Sequence, residues 1–162
     1  MDDSVEYEWI LLLHHLPPKP DYFRVRIRRK LRQLGAVGLK NTAYVLPASE
    51  RSRQEFGDLA AAIRSDGGEA VVAMTRLLSG VTSSDLAAQF RGVSNAAYAD
   101  VADSARKIAD SSGQDRSNAL LRLEDRLAGL KARDHFSADG HVSARAALQE
   151  LRNQVAAEAS AA

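Results

Sequence analysis

Basic side chains are concentrated in one short stretch of the chain. Residues 19–40 contain eight lysines and arginines against the single acid Asp21, a net charge of +7, so the remaining residues carry −6 of the overall +1. Six of the eight fall on one predicted helix: Arg24, Arg26, Arg28, Arg29, Lys30 and Arg32. Like charges four residues apart on a helix repel by roughly 0.2–0.5 kcal/mol per pair, so helix stability does not favour this pattern. It is typical of a surface that binds a polyanion, with DNA phosphates as the most specific case.

A second interpretation of the basic stretch needs no ligand. The acidic remainder of the chain can supply Asp and Glu partners, which would leave a solvated, internally paired helix face. The overall net charge of +1 predicts no polyanion partner by itself. Both interpretations stay open from the sequence.

Histidines occur as one adjacent pair and as two separated residues late in the chain. His14 and His15 end a predicted strand, where alternation sends neighbouring side chains to opposite faces. One of them can bind a metal or donate to an oxyanion, although one packed, satisfied histidine beside one exposed histidine is the simpler alternative. His135 and His141 are six residues apart, which fits no standard zinc spacing, and the chain contains no cysteine. We therefore predict no metal site.

Signatures of covalent or phosphate-transfer catalysis are missing from the sequence. It contains no GxSxG, no glycine-rich phosphate loop and no HExxH motif. Gly67 and Gly68 are explained as the end of a helix, Asn41 as a turn residue and Tyr44 as a core residue. We therefore predict that the chain is not an enzyme, with no catalytic residues and no cofactor.

The first 80 residues alternate the patterns of strands and helices. Residues 8–16 form an apolar run that Pro17 and Pro18 end, and the basic helix follows with Asp21 as its predicted N-cap and Gly35 as its C-cap. Its apolar side repeats with helical spacing at Phe23, Ile27, Leu31 and Leu34. Residues 36–40 and 42–46 are two short strands, either a hairpin or one long bent strand. A helix from Ser49 and a strand over 69–78 complete the order βαββαβ, the ferredoxin-like plan.

The second half of the sequence is predicted to be helical. A helix capped within Ser83–Asp85 carries one apolar side: Leu86, Phe90, Val93, Ala97, Val101 and Ile108. After a break at residues 111–113, a second helix has the 3-4-3 spacing of a helix–helix contact at Leu120, Leu123, Leu127 and Leu130. A third helix spans 142 to about 158. The predicted class is α+β: a ferredoxin-like sheet over 1–80, followed by a helical subdomain of about three helices over 81–162 that packs on it as one unit.

Two segments carry a resemblance to a known family. Glu8–Phe56 reads EWILLLHHLPPKPDYFRVRIRRKLRQLGAVGLKNTAYVLPASERSRQEF, and Leu130–Leu151 reads LKARDHFSADGHVSARAALQEL. The first resembles the opening of the bacterial chromate-resistance regulators (ChrB-like), with an apolar strand into LPPKP, an RVR helix, LGAV, and KNxxYxLP. The second is similar to the closing segment of that N-terminal domain.

The resemblance implies a transcriptional regulator that controls a chromate efflux transporter. DNA and chromate are then the expected partners, with the six cations of the basic helix as the DNA-contacting residues. Chromate is a tetrahedral dianion, which basic clusters bind. By charge and neighbourhood, the oxyanion candidates are His14, Lys19, Arg28 and Lys40.

Two other functions remain as alternatives. One is an interaction module without DNA affinity that modulates a longer regulator. The other is a metal-dependent nuclease, because the βαββαβ plan also resembles the CRISPR Cas2-like nucleases. Their first strand ends in a metal-binding Asp, whereas this chain has His14 and His15 there. We further expect a homodimer, because the sheet leaves edge strands and the leucine seam offers a contact surface. Without a membrane-length apolar run or a basic leader, we expect a cytoplasmic protein.

Overall fold

The computed structural model describes residues 8–111 and 115–161. The chain divides into two compact units, of which the first ends at Phe90 and the second begins at Arg91. This division falls inside one long helix, α3 (Ser83–Ala109), whereas the sequence predicted a boundary after residue 80. The predicted helix break at Ser112 and Gly113 lies outside the described residues.

The first unit is built on a four-stranded antiparallel sheet. Its strands are β1 (Trp9–His15), β2 (Val37–Lys40), β3 (Ala43–Pro47) and β4 (Glu69–Thr75), in the order β2-β3-β1-β4. β1 is central because it pairs with β3 on one side and with β4 on the other. The predicted α+β class, with a ferredoxin-like βαββαβ sheet followed by three further helices, is confirmed.

Two strand predictions change in detail. β2 and β3 form a hairpin with a register shift between Gly38 and Lys40, which decides between the alternatives left open by the sequence. β4 ends at Thr75 rather than at Leu78. Thr75 pairs with Trp9, the first residue of β1, so the ladder has no partner residue beyond it. Leu78 is consequently 91% exposed.

Helices α1 (Asp21–Leu34) and α2 (Glu50–Ser65) bury their apolar stripes in the core of the first unit. In α1 the stripe is the predicted one: Phe23, Ile27, Leu31 and Leu34. Gly35 ends α1 in the left-handed region, with φ of 70°. The predicted N-cap Asp21 is wrong, because the helix begins at that residue and Pro20 precedes it without a side-chain cap. The Asp21 carboxylate still lies in the first turn, where the helix dipole stabilises negative charge.

The first two turns of α3 belong to the first unit. Their cap is Thr82 rather than a residue of Ser83–Asp85: its Oγ1 accepts a 3.0 Å hydrogen bond from the Asp85 N–H. The Asp85 carboxylate accepts from the Thr82 N–H at 3.0 Å in return, which makes a capping box. Ser83 instead accepts a 3.1 Å hydrogen bond from the indole of Trp9, whose ring stacks on Phe90 at 5.8 Å between centroids.

The second unit consists of α3 from Arg91 onward, α4 (Arg116–Ala132) and α5 (Gly140–Ala161). Its core contains the predicted leucine seam, with Leu120, Leu123 and Leu130 buried and Leu127 partly buried. The prediction for Val93 is wrong, since this side chain is 62% exposed. The buried stripe of α3 continues from Phe90 to Tyr98 two turns later, and position 93 lies off that line.

Asp134 holds the loop that precedes α5. Its Oδ2 accepts hydrogen bonds from the Tyr98 hydroxyl at 3.1 Å and from the Ala138 N–H at 2.9 Å. Burial of the Tyr98 phenol, together with this hydrogen bond and the charge of Asp134, raises the pKa of Tyr98 to about 12. The pair therefore keeps a neutral phenol beside a carboxylate, and it orders the connection between α4 and α5.

Candidate anion and nucleic-acid interface

Helix α1 presents its six predicted phosphate-binding side chains to solvent. Because the apolar stripe occupies one side of the helix, the positions between its members point outward. The exposed cations are Arg24, Arg26, Arg28, Arg29, Lys30 and Arg32. The outward side of one 14-residue helix thus carries six positive charges.

Ion pairing neutralises only a small part of this charge. Arg26 pairs with Asp66, and its guanidinium lies 5.3 Å from the centroid of the Phe23 ring. For the other five cations, no ion pair with an acid is formed within residues 8–90. In this part of the chain, the interpretation that ion pairs neutralise the basic face therefore holds for Arg26 alone.

Helix α2 shows the opposite arrangement in the same unit. Arg51 donates to Glu55 at 2.8 Å, and Arg53 lies 3.6 Å from Glu50. Both pairs have helical spacing, as in an ordinary solvated surface helix. α1 contains no acid after Asp21, so only Arg24 has an acidic residue of the same helix at such a spacing.

A pocket of about 280 Å³ opens beside α1 at the end of β1. Its walls come from α1, from the last residues of β1 and from the turn between β2 and β3. The lining residues are His14, His15, Leu16, Arg24, Ile27, Arg28, Asn41, Thr42 and Tyr44. No Asp or Glu is found among these described lining residues, so the pocket is positive in character.

His14 lies at the centre of the contacts that build this pocket. Its backbone N–H donates to the Thr42 carbonyl at 2.9 Å, which holds the hairpin turn against the end of β1. Its ring centroid lies 5.7 Å from that of Tyr44. The imidazole Nδ1 is buried and has no hydrogen-bond partner among the described residues. A buried polar atom without a partner costs about 1–3 kcal/mol.

The predicted oxyanion candidates do not all meet. His14 and Arg28 line the same pocket, whereas the exposed Lys19 and Lys40 are not among its lining residues. Conversely, Arg24, Asn41 and Tyr44 line it although the sequence assigned them to phosphate contact, a turn and the core. The adjacent His15 also lines the pocket but is exposed, whereas His14 is only partly exposed.

The potential metal-binding side chains do not form a site among the described residues. Within residues 8–111 and 115–161, no group of three or more His, Asp or Glu side chains could hold a metal ion together. His141 instead accompanies the loop of the second unit, with its Nδ1 3.0 Å from the Ala138 carbonyl oxygen. None of the described helices combines the length and the apolar character that a membrane crossing needs.

Comparison with known proteins identifies one family. The family model described as "Protein ChrB, N-terminal" matches residues 24–112, which is more than half of the chain. The match begins at Arg24 and therefore includes the basic residues of α1, the hairpin and all of α3; the segment Leu130–Leu151 lies beyond it. Comparisons with curated proteins and with solved structures gave no match.

Proposed function

Because the chain belongs to the ChrB N-terminal domain family of chromate-resistance proteins, we propose that it is a DNA-binding regulatory module of chromate resistance. In this proposal, α1 contacts the phosphate backbone and chromate lowers the affinity of the protein for DNA. Phosphate contacts position a protein on the duplex without reading its sequence. The proposal therefore assigns affinity, and not base recognition, to α1.

The observation that carries the proposal is the unpaired basic face of α1. Five exposed cations on one helix form no ion pair within residues 8–90, while the neighbouring α2 pairs Arg51 and Arg53 with its own acids. Concentrating these charges costs repulsion energy, which a polyanion offsets when it releases its condensed counterions to bind them. A solvated helix face has no such compensation.

Fluorescence anisotropy with a labelled duplex from the protein's own upstream region tests the proposal. The variant Arg29→Gln/Lys30→Gln/Arg32→Gln removes three unpaired cations without touching the pocket lining. We expect its affinity at 0.1 M salt to fall by about 500-fold, with 1 M salt as the reference condition, since each of the three lost phosphate contacts removes about 0.9 from the logarithmic salt slope.

A matched control separates this effect from net charge. Arg51→Gln/Arg53→Gln removes two exposed cations of α2 that already have partners, and we expect it to bind DNA nearly as the natural protein does. If the natural protein fails to bind at low salt, the DNA role is wrong, and an interaction module for a longer regulator becomes the better explanation. Equal losses in both variants would show that net charge, and not the surface of α1, determines the affinity.

The chromate half of the proposal has its own measurement. Adding chromate to the protein–DNA complex should lower the anisotropy. Sodium chloride that supplies the same concentration of negative charge should not. If chromate leaves the complex intact, the role of the protein is limited to DNA binding, and the response to chromate depends on another component.

A further inference from the structure

The two edges of the four-stranded sheet differ in how they are protected against pairing. β2 forms one edge and has only four residues, and its ladder with β3 shifts register between Gly38 and the exposed Lys40. A short strand, an irregular ladder and an exposed lysine are features that prevent an edge strand from pairing with another chain. The β2 edge is therefore protected.

The other edge, β4, has none of these features. It has seven residues, pairs with β1 in an uninterrupted register, and contains no proline or lysine; its single charged residue is the first one, Glu69. No residue of β4 is buried, and the side chains of Val71 and Met74 are 59% and 53% exposed. A regular edge strand with exposed apolar side chains favours pairing with another strand.

The ladder register determines which backbone groups of β4 point away from the sheet. The His14 N–H donates to the Thr42 carbonyl on the β3 side of β1, so the even-numbered residues of β1 bond to β3 and the odd-numbered ones bond to β4. The odd-numbered residues of β1 lie opposite the odd-numbered residues of β4. The backbone N–H and C=O groups of Ala70, Val72 and Met74 therefore point outward.

One side-chain contact supports this assignment. The Arg64 guanidinium lies outside the ladder and donates to the Ala70 carbonyl at 3.0 Å. The outward groups of Val72 and Met74 have no backbone partner among the described residues. A carbonyl oxygen accepts two hydrogen bonds, so the Ala70 carbonyl can still accept one from another chain.

The outward backbone groups are arranged symmetrically about Val72. If a second copy of β4 pairs antiparallel with the first and Val72 lies opposite Val72, then Ala70 lies opposite Met74 on both sides of the centre. Residues at such positions exchange both of their hydrogen bonds. The outward groups of one copy therefore find their partners in the same groups of the other copy.

The side chains of β4 match in the same register. Large side chains lie opposite small ones, since Met74 meets Ala70 on one face of the sheet and Val71 meets Ala73 on the other. The single charged residue of the strand lies opposite the uncharged Thr75. No like charges face each other across the pair, which would otherwise destabilise it.

We propose that β4 is the dimerisation edge of this protein, and that two copies pair their β4 strands antiparallel about Val72 to form one continuous sheet. The partner is a second copy because the edge is complementary to itself in hydrogen bonds, side-chain size and charge. The pairing involves far fewer residues than the roughly 20–30 a side of a standard interface. The dimer is therefore in reversible equilibrium with the monomer.

Sedimentation velocity on the DNA-free full chain, from micromolar to millimolar concentration, tests the proposal. We expect the mass to rise with concentration from the 17.6 kDa of one chain toward twice that value. Val71→Lys places a lysine on the edge, and Met74→Pro removes an outward N–H but no hydrogen bond to β1; each should raise the Kd of dimerisation by about tenfold or more. Val93→Lys changes an equally exposed valine of α3 and should dimerise as the natural protein does.

Circular dichroism verifies that each variant is folded. A natural protein that stays monomeric over the whole range would overturn the proposal. So would a dimer that both edge variants leave intact, because its interface would then lie elsewhere. An equal loss in Val93→Lys would assign the effect to added charge rather than to the edge.

Disulfide cross-linking tests the register, because the natural chain contains no cysteine. Val71 and Ala73 of opposite copies form a non-hydrogen-bonded pair, whose Cα atoms are about 4.5 Å apart and within disulfide range. Two copies of residue 71 are diagonal neighbours about 7–8 Å apart, which is too far. A mixture of Val71→Cys and Ala73→Cys chains should therefore form the mixed disulfide, read by mass spectrometry, faster than either variant forms its own. Equal rates would contradict the register.

The dimer also has a consequence that rests on the proposed function. α1 and α2 contact each other on one face of the sheet, and a two-fold axis perpendicular to the sheet keeps both copies of α1 on that face. One duplex that contacts both copies binds more tightly, so Met74→Pro should weaken DNA binding. If the edge variants abolish the dimer and the protein has no DNA affinity, β4 remains the dimerisation edge and the proposed function is wrong. If DNA binds but the protein is monomeric, only the edge proposal fails.

Discussion

The salt dependence of DNA binding gives the sharpest quantitative prediction. Five cations of α1 form no ion pair within residues 8–90. If each of the five contacts a phosphate, the slope of log K against log salt concentration is about −4.5, since each contact contributes about −0.9. Raising the salt from 50 to 200 mM then weakens binding by about 500-fold. The double variant Arg29→Gln/Lys30→Gln should have a slope of about −2.7 and lose only about 40-fold over the same range.

Anisotropy titrations at four salt concentrations measure both slopes with the same labelled duplex. The control is Arg51→Gln/Arg53→Gln, which changes the net charge equally but removes cations already paired with Glu55 and Glu50. Its slope should stay within about 0.5 of the natural value, because cations that are already paired with carboxylates displace few counterions from the DNA. The reasoning is refuted if the α1 variant keeps the natural slope, or if the control flattens as much as the variant does.

Three further predictions concern the scaffold that positions this surface. Ile27→Ala should lower the free energy of unfolding by about 3 kcal/mol, because the side chain is 2% exposed, and Val25→Ala on the same helix should change it by less than about 0.5 kcal/mol in urea titrations. Ser49→Ala should lower it by about 1 kcal/mol, since Ser49 Oγ accepts from the Ser52 N–H at 3.0 Å and caps α2; unchanged urea midpoints would contradict this. The pKa of Tyr98 is raised to about 12 in the fold, so stability should fall as pH rises from about 10 to 12, where the unfolded chain releases this proton and the folded chain keeps it. In thermal melts, the Tyr98→Phe variant should lose less stability than the natural protein over that pH range. Parallel pH profiles of the two proteins would show that Tyr98 is not responsible.

The sequence was sufficient for the basic helix because local spacing determines it. Phe23, Ile27, Leu31 and Leu34 fix the buried side, so the cations between them must point outward. The order βαββαβ followed from apolar runs separated by proline and glycine, which are local signals as well. The capping box of α3 was also readable: Thr82 and Asp85 have the Thr-x-x-acid spacing, although Ser83 is an equally good cap residue in isolation.

The pocket could not be predicted from local spacing. His14 and Tyr44 are 30 positions apart, and they meet because β3 pairs antiparallel with β1 and places Leu12 opposite Tyr44. Strand order is a long-range property that charge and spacing do not contain. Lys19 and Lys40 were chosen because they are charged and near in sequence, but neither lines the pocket. Once β2 and β3 are known to form a hairpin, its turn must lie beside the end of β1, which identifies Asn41 and Thr42.

Mapping the DNA contact surface by NMR tests the central claim most directly. The uniformly ¹⁵N-labelled chain is titrated with unlabelled duplex at low salt, and backbone amide shifts are followed residue by residue. We predict that the largest changes occur over residues 24–32 of α1, with smaller changes over residues 50–55 of α2. Shifts concentrated outside α1, or a spectrum unchanged at saturating DNA, would contradict the assignment of DNA binding to this helix.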